Sequence, residues 1–290
     1  MNKTTIKDKI IEVLTHAALY MRQKGHTHHR GKDAAKYIVA EAIKKDKHLT
    51  DRQLAEYLPK DEIGRFLGFK EGMCYSSFSV MRKRIGVKAY SDIYHELLKE
   101  YFRGKQLSLI CQDSTDIPAF SLKDKDAKFG YRTPSKREQQ TLKSTEKSYL
   151  FGYKTHTIVE VTSELPLAFI VAPANRHDSK FFDVVFNRVK SNFAIQYMAK
   201  FLADAAYYST KILWTLRESD IIPVIASNGR RQFKSEVPKD KDYGKRWAVE
   251  RVFSRLKEVF GMSKNRFIGI EKVGIHIISC LFAYFLRYAK

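Results

Sequence analysis

The sequence predicts an α/β fold, in which a mixed β-sheet is flanked by helices and preceded by an N-terminal helical region. Residues 1–105 interleave charged and apolar residues as helices do, and strand-like apolar runs start at about residue 106. Three strand-like runs come first and helices then alternate with strands, which is the pattern of a mixed sheet. The 290 residues, 44% of them hydrophobic, are enough to bury the core of one large domain or two ordinary ones.

The N-terminal region contains two helix signals. In KHLTDRQLAEYL, Thr50 can cap a helix and Gln53 stands three residues later, where a capping box needs it. The segment GFKEGMCYSSFSVMRKRIG predicts a turn followed by a basic helix, an arrangement that fits docking on DNA but occurs in many small helical domains. Its candidate DNA contacts are Arg82, Lys83 and Arg84.

Strand-like and helical segments alternate through the rest of the chain. LSLICQDST is the first strand, and GYKTHTIVEVT and LPLAFIVAP form two more around a turn at Ser163–Glu164. HDSKFFDVVFNRVKSNF then has helical spacing, with Asp178 or Ser179 positioned to cap it. The order continues with the strand YMAKFLADA, the helix YSTKILWTLRES, the strand DIIPVIAS and the helix YGKRWAVERVFSRLK.

Two segments stand apart from this alternation. A polar, basic insert over about residues 119–151 separates the first two strands, and a loop of that length is more often functional or partly disordered than a compact connection. Whether it contacts DNA or a second subunit stays open. The apolar segment at about 272–290 has an uninterrupted run shorter than the ~20 residues that a membrane span needs. We therefore predict a buried terminal helix there and no membrane partner.

The chain is strongly basic, because 53 Lys and Arg against 32 Asp and Glu give a formal net charge of +21. Such a surplus indicates a polyanionic partner, with nucleic acid first and an anionic membrane surface or a basic protein of the ribosomal kind as alternatives. Three widely separated cysteines form no CxxC pair or disulfide framework, and the N-terminal segment lacks a signal-peptide apolar region. We therefore expect a reducing, cytoplasmic location.

Three acids are candidate metal ligands. Asp113 ends the apolar run LSLIC and Asp204 ends FLA, so both would emerge from strands, whose carboxyl ends hold ligands in open α/β sheets. Together with Glu250 they would form an all-oxygen site that suits Mg²⁺ or Mn²⁺. Two such ions, about 3.5–4 Å apart, can promote attack on a phosphodiester. Asp116 is a rival for Asp113, and an acid that follows a strand is often only a cap.

Glu250 lies on a polar line of the helix YGKRWAVERVFSRLK. Tyr243, Arg246, Glu250 and Lys257 fall within an arc of roughly 60° on an ideal helix, beside a separate apolar stripe. The stripe consists of Val249, Val252, Phe253, Leu256 and Phe260. The polar line can be a solvated edge with an ordinary Arg246–Glu250 pair, or it can face a site that needs an acid between cations. The spacing alone leaves both interpretations open.

Taken together, these motifs resemble those of the DDE transposases of bacterial and archaeal insertion sequences, of the insertion-sequence-four or -five type. That type carries the signature Y-(2)-R-(3)-E-(6)-K, which Tyr243, Arg246, Glu250 and Lys257 match without a gap. The segments CQDST and FLADAAYYS are similar to the family segments around the two catalytic aspartates. The resemblance covers most of residues 60–290.

The resemblance implies an RNase H-like catalytic domain over residues 106–290 and a helical DNA-binding or dimerisation region over residues 1–105. It implies that Asp113, Asp204 and Glu250 are the catalytic residues. The two aspartates would share two Mg²⁺ or Mn²⁺ ions, and the glutamate would complete the site. This implied fold agrees with the strand and helix order that the residues themselves predict.

The resemblance also implies DNA contacts for the cationic and aromatic residues of the signature. Arg246 and Lys257 would approach the scissile or neighbouring phosphates, where a cation stabilises developing charge. Tyr243 would stack on DNA or hydrogen-bond to it near the cut. Lys154 belongs to a strand expected beside Asp113, so it is a further candidate phosphate contact, although an ordinary surface lysine fits equally. The implied partners are double-stranded DNA, at the element ends and the target, and a second copy of the chain in a homodimer.

The function that the resemblance implies is that of a prokaryotic, nucleoid-associated DNA transposase. It would bind the terminal inverted repeats of its insertion sequence, cleave the ends and join the 3′-OH to target DNA by two-metal chemistry. An RNase H-like nuclease, such as a junction resolvase, and a non-catalytic domesticated DNA-binding relative are the alternatives. The complete signature, with all three acids present, favours the enzyme. The repeat sequence, the target preference and the cut-and-paste or copy-out route cannot be read from the chain.

Overall fold

The computed structural model describes residues 5–24, 30–132, 148–227 and 237–290. The chain divides into two units. The first unit combines Met1–Lys105 with Ser254–Met262 and Gly274–Lys290, and the second combines Gln106–Phe253 with Ser263–Val273. The roles assigned above to residues 1–105 and 106–290 stay predictions.

The N-terminal part of the first unit is helical. Its helices are α1 (Ile6–Gln23), α2 (Arg30–Asp46), α3 (Asp51–Tyr57), α4 (Glu62–Phe66) and α5 (Ser76–Tyr101). The predicted capping box at α3 is confirmed, since the Thr50 side chain accepts a hydrogen bond from the Gln53 N–H while the Gln53 side chain accepts from the Thr50 N–H at 2.9 Å. Helix α5 is interrupted at Gly86, whose φ of 75° favours glycine.

The second unit is built on one six-stranded sheet. Its strands are β1 (Leu107–Pro118), β2 (Lys128–Arg132), β3 (Ser148–Glu160), β4 (Leu165–Pro173), β5 (Ile195–Ala203) and β6 (Ile222–Ile225). Strand β3 pairs antiparallel with β1 on one side and with β2 and β4 on the other, whereas β5 lies parallel between β1 and β6. This mixed sheet confirms the predicted α/β fold with its RNase H-like order of three antiparallel strands followed by parallel ones.

Four further helices begin in the second unit, and α9 continues into the first. They are α6 (Phe182–Asn192), α7 (Thr210–Arg217), α8 (Trp247–Glu258) and α9 (Ile270–Tyr288), of which α8 also crosses the boundary between the units. The predicted apolar stripe of α8 is confirmed, because all five of its side chains are buried. Helix α9 is buried along most of its length. No helix within the described part of the chain is long and apolar enough to cross a membrane.

Three local predictions need correction. A 3₁₀ turn over Asp178–Phe181 precedes α6, and its cap is the His177 side chain, which accepts from the Ser179 N–H at 3.4 Å, rather than Asp178 or Ser179. Tyr243–Arg246 forms a second 3₁₀ turn instead of the first turn of α8, and Gly244, a poor helix former, lies within it. The predicted insert contains β2, while its residues 133–147 lie outside the described chain.

The strand directions bring several strand ends to one end of the sheet. Strand β5 is parallel to β1, and β4 also runs parallel to β1 because antiparallel β3 lies between them. The carboxyl ends of β1, β4 and β5 therefore point the same way. In open α/β sheets this is the end where ligands bind, so polar residues that follow these strands are candidates for a functional site.

Candidate active site

Asp113 and Asp204 are neighbours at the carboxyl end of the sheet. Cys111 of β1 pairs with Leu202 of the parallel strand β5. Asp113 and Asp204 each come two residues later, so the two aspartates lie side by side. Backbone hydrogen bonds fix both side chains. The Ser114 N–H donates to Asp113 Oδ1 at 2.8 Å, and the Ala206 N–H donates to Asp204 Oδ1 at 3.0 Å. The prediction that both acids emerge from core strands is thereby matched by their positions.

Burial and like charge raise the pKa values of both carboxyl groups. Burial raises the pKa of Asp113 to about 7, and the charge of Asp204 adds to the effect. Burial likewise raises the pKa of Asp204, to which the charge of Asp178 also contributes. The nearby Arg246 guanidinium acts in the opposite direction on both groups. Negative charge is thus concentrated in a partly desolvated place, where a bound cation would stabilise the ionised carboxylates.

Arg246 connects Glu250 to this aspartate pair. Its Nη1 lies 3.6 Å from Asp113 Oδ2, and its Nη2 lies 2.8 Å from Glu250 Oε1. The Glu250 side chain is 50% exposed, whereas Arg246 is largely buried. In the described residues no group of three or more Asp, Glu, His and Cys side chains is arranged to hold a metal ion. The structure therefore brings the two aspartates and Arg246 together and joins Glu250 to them through the arginine.

Asp178 is a site residue that the sequence argument missed. Its Oδ1 accepts from Lys154 Nζ at 3.1 Å and lies 3.7 Å from His156 Nδ1. Its charge contributes to the raised pKa values of both Asp113 and Asp204, so it lies close to both. The signal was present, because Asp178 follows the apolar strand β4 at the same end of the sheet, as Asp204 follows β5. The segment HDS also fits a helix cap, so the sequence alone did not indicate a role for Asp178 at the site.

Buried polar side chains lie behind this cluster of acids. His156 is fully buried and stacks on Phe181, with ring centroids 4.3 Å apart, and burial lowers its pKa to about 4. Gln112 and Tyr207 are fully buried as well, and the charges of all three aspartates reach the Tyr207 hydroxyl. Gln112 lies within hydrogen-bonding reach of the Tyr207 hydroxyl. The two ring nitrogens of His156 have no hydrogen-bond partner within 3.5 Å among the described residues. Such atoms are uncommon in stable cores and cluster at functional sites.

The rival acid Asp116 occupies a different position. It lies on β1 three residues after Asp113, so the two side chains point to opposite faces of the strand. Asp116 pairs with Lys154 of β3, whereas Asp113 neighbours Asp204, which directly follows β5. The geometry therefore favours Asp113 over Asp116 as the partner of Asp204.

The other candidate DNA contacts have different environments. Tyr243 is half-buried in the turn before α8, three residues before Arg246. Lys257 is half-buried in the last turn of α8. Lys154 lies on β3 next to β1, as predicted, and is held by Asp178. None of these positions by itself tests a contact with DNA.

The three basic residues of α5 that were predicted to contact DNA differ in burial. The Arg82 side chain is buried and forms ion pairs with Glu41 of α2 and Asp51 of α3, one of its nitrogens lying 3.1 Å from Asp51 Oδ1. Because the Arg82 guanidinium is buried and paired with two acids inside the helical unit, its position argues against the predicted contact with DNA. Lys83 and Arg84 are exposed and stay candidates.

Residues 104–286 match the family described as the transposase DDE domain. A comparison with curated protein sequences finds no match. Among solved structures, the chain resembles a piggyBac transposase synaptic complex with hairpin DNA, at 8% identity and a TM-score of 0.49, with 99% of this chain and 75% of that chain covered. It also resembles a Mos1 transposase paired-end complex with the left transposon end, at 11% identity and a TM-score of 0.26, with 80% of each chain covered.

The family match is the comparison that decides the assignment. It spans more than half of the chain and includes β1, β5 and α8 with the acids that follow or lie on them. The two structural likenesses are too weak to add to it. The chain belongs to the family of transposase DDE domains.

Proposed function

We propose that the protein is the DNA transposase of an insertion sequence of the insertion-sequence-four or -five type. It binds the terminal inverted repeats of its element, cleaves the ends and joins the 3′-OH to target DNA, working in the prokaryotic cytoplasm as a homodimer. The observation that carries the proposal is the half-buried pair Asp113 and Asp204, with Arg246 beside it, at the carboxyl end of a sheet in a DDE-domain chain. The net charge of +21 suits a DNA partner.

The residues at the site fit divalent metal ions, which DDE transposases generally use. Two adjacent carboxyl groups whose pKa values are raised, mainly by burial, are when ionised an anionic, all-oxygen donor set, which suits Mg²⁺ or Mn²⁺. Asp113 and Asp204 would hold two such ions, and Glu250 would complete the set by leaving its pair with Arg246. When bound, two ions supply an activated water or 3′-hydroxyl and neutralise charge on the leaving oxygen.

The protein's own cations would bind and orient the DNA backbone. Arg246 has a planar guanidinium that can give two parallel hydrogen bonds to a phosphate, and it lies beside Asp113 where the reacting phosphate would be held. Its charge would stabilise the negative charge that develops on the phosphoryl oxygens. Lys257 and Lys154 would contact neighbouring phosphates, and Tyr243 would stack on a nucleotide next to the cut.

The test of this proposal is a strand-transfer assay with the full chain and labelled DNA from the ends of the element that encodes it. With Mg²⁺ we expect cleavage at the ends followed by joining to target DNA, and chelation of the metal should abolish both steps while DNA binding persists. Products that are cleaved but never joined would favour the RNase H-like nuclease instead. Binding without cleavage under every metal condition would indicate a non-catalytic relative.

We propose that Asp178 positions Lys154 at this site. Asp178→Asn is expected to lower the cleavage rate by about 10- to 100-fold, as is typical when a partner of a site residue is removed. Since the charge of Asp178 helps to raise the pKa of Asp113, the variant should also lower that pKa in the metal-free protein. The two readouts are single-turnover cleavage and NMR titration of the carboxyl group.

The matched control for Asp178→Asn is Asp183→Asn. Asp183 lies in the first turn of α6 and pairs with Lys211 at the surface. Its variant should keep both the wild-type cleavage rate and the pKa of Asp113. Equal behaviour of the two variants would contradict a role for Asp178 at the site.

A further inference from the structure

A short β-ribbon leaves four aromatic side chains on one face. Strand β2 pairs antiparallel with the first residues of β3, so that Phe129 lies opposite Phe151 and Tyr131 lies opposite Tyr149. Side chains two residues apart on a strand point to the same face, so all four share it. The ring centroids of the two pairs are 4.9 and 5.0 Å apart. We call these four residues the aromatic quartet.

The aromatic quartet faces away from the core. Phe129, Tyr131 and Tyr149 are 61%, 65% and 64% exposed. The opposite face of the ribbon is closed, because a Cβ at Gly130 would lie 2.3 Å from the Ala174 carbonyl oxygen. Cross-strand aromatic pairs stabilise a ribbon by only about 0.2–1 kcal/mol each. A contiguous exposed aromatic surface of this kind is more typical of a binding site.

The segment leading into the ribbon makes its surroundings positive. The Asp124 carboxylate accepts from the Gly269 N–H at 3.1 Å, and the Asp126 carboxylate accepts from the Ile270 N–H at 2.9 Å. Both acids are thereby engaged with backbone of the same unit. The two lysines that alternate with them, Lys123 and Lys125, are exposed. Cations next to exposed aromatic rings are the combination with which proteins hold single-stranded nucleic acid.

We propose that the aromatic quartet binds single-stranded DNA, with bases stacked on the rings and phosphates near Lys123 and Lys125. The two aromatic pairs are two residues apart along the strands, about 7 Å, so each pair can take one base. Stacking needs bare base faces, which duplex DNA hides within its own stack. A second copy of the chain fits less well, because a symmetric contact would bring the lysines of both copies together. The inference rests on the proposed function for the source of the strand, which is unpaired DNA at cleaved element ends.

The test measures binding of a fluorescent 12-nucleotide oligo(dT) to the full chain by anisotropy, without divalent metal. The double variant Tyr131→Ala/Tyr149→Ala should weaken this binding by about tenfold or more, because base–aromatic stacking is lost. Tyr131→Phe/Tyr149→Phe keeps the rings and should bind as the wild type does. Tyr131→Leu/Tyr149→Leu keeps apolar bulk without a ring, and should lose as much affinity as the alanine variant. Tyr197→Ala removes a tyrosine that is 73% exposed on β5 and serves as the matched control.

Three results would overturn the inference. The first is that the folded leucine variant keeps the wild-type affinity for oligo(dT). The second is that the alanine variant loses as much affinity for duplex element ends as it loses for oligo(dT). The third is that the alanine variant loses a dimer in sedimentation while its oligo(dT) affinity stays intact. Wild-type cleavage of element ends is measured in parallel. If the wild type does not cleave element ends, the proposed function is contradicted. If the wild type cleaves normally and the variants keep their oligo(dT) affinity, binding of single-stranded DNA by the aromatic quartet is contradicted.

Discussion

Replacing Asp113 with Asn is expected to lower the rate of DNA cleavage by about 10³-fold or more, because the variant loses an anionic metal ligand at the reacting centre. The rate is measured under single-turnover conditions with labelled element ends and Mg²⁺, and DNA affinity is measured separately. Asp116→Asn is the matched control, since it removes a carboxylate from the same strand but from its other face. We expect that variant to cleave within about threefold of the wild type. Loss of cleavage in the control alone would move the catalytic assignment to Asp116.

The same Asp113→Asn substitution is expected to stabilise the metal-free protein at pH 8. Burial and the charge of Asp204 raise the pKa of Asp113 from its ordinary 3.8 to about 7. Between these pH values the folded state holds a proton that the unfolded state has released, so the free energy of unfolding falls as the pH rises from about 4 to 7. Asn carries no such cost. Because one pKa unit corresponds to about 1.4 kcal/mol, the rise of this pKa by about three units corresponds to a gain of about 4 kcal/mol above pH 7.

Thermal unfolding of the two proteins at pH 4 and pH 8 checks this effect. The difference in Tm should be small at pH 4 and reach several degrees at pH 8. A variant that is both inactive and more stable would show that Asp113 is kept for its chemistry at a cost in stability. Equal Tm values at pH 8 would mean that the folded protein accommodates the ionised carboxylate without strain.

Replacing Arg246 with Ala is expected to lower the cleavage rate by about 10²- to 10³-fold while changing DNA affinity by less than tenfold. The reason is that its cation lies beside Asp113 and would act mainly on the charge that develops during reaction. Arg246→Lys should recover only part of the rate, because an ammonium cannot give the two parallel hydrogen bonds of a guanidinium. The measurement is the same single-turnover assay, combined with a binding titration on uncleaved DNA.

The control for Arg246→Ala is Arg251→Ala on the same helix. Arg251 is exposed and donates from Nε to Glu164 at 2.7 Å, away from the aspartates. Since Arg246 lowers the pKa of Asp113, only Arg246→Ala should move the titration of that carboxyl to higher pH in the metal-free protein. Equal rates in the two alanine variants would contradict the proposed role of Arg246.

Local sequence signals were enough for most of the fold. The Thr50–Gln53 capping box and the apolar stripe of α8 depend on residues within one or two helical turns, and both are found as predicted. The positions of Asp113 and Asp204 could be predicted for a similar reason. An apolar run followed by an acid places Asp204 at the end of β5 and Asp113 within β1, two residues beyond the last pairing of β1 with β5, and the parallel pairing brings the two acids together.

What could not be predicted depends on partners distant in sequence. Strand β2 reads as part of a polar insert, because KFGYR becomes a strand only through pairing with β3. Arg82 reads as a surface residue, because its acid partners Glu41 and Asp51 lie 41 and 31 residues away. Asp178 follows its strand by five residues, within a segment that also fits a helix cap. Its place at the site depends on how the turn after β4 folds back.

The first unit is assembled from segments that are far apart in the chain, which sets the order in which it can fold during synthesis. Its N-terminal helices join segments that start about 150 and 170 residues after Lys105. The ties are specific, since the Lys9 ammonium donates to the Leu286 carbonyl at 3.3 Å and Lys45 lies 2.6 Å from the His276 ring. At a synthesis rate of about 5–20 residues per second, α1 to α5 leave the ribosome roughly 10–30 s before these partners exist. The helical unit therefore completes its folding only after the sheet has been synthesised, and a nascent chain stopped short of α9 leaves it unfinished.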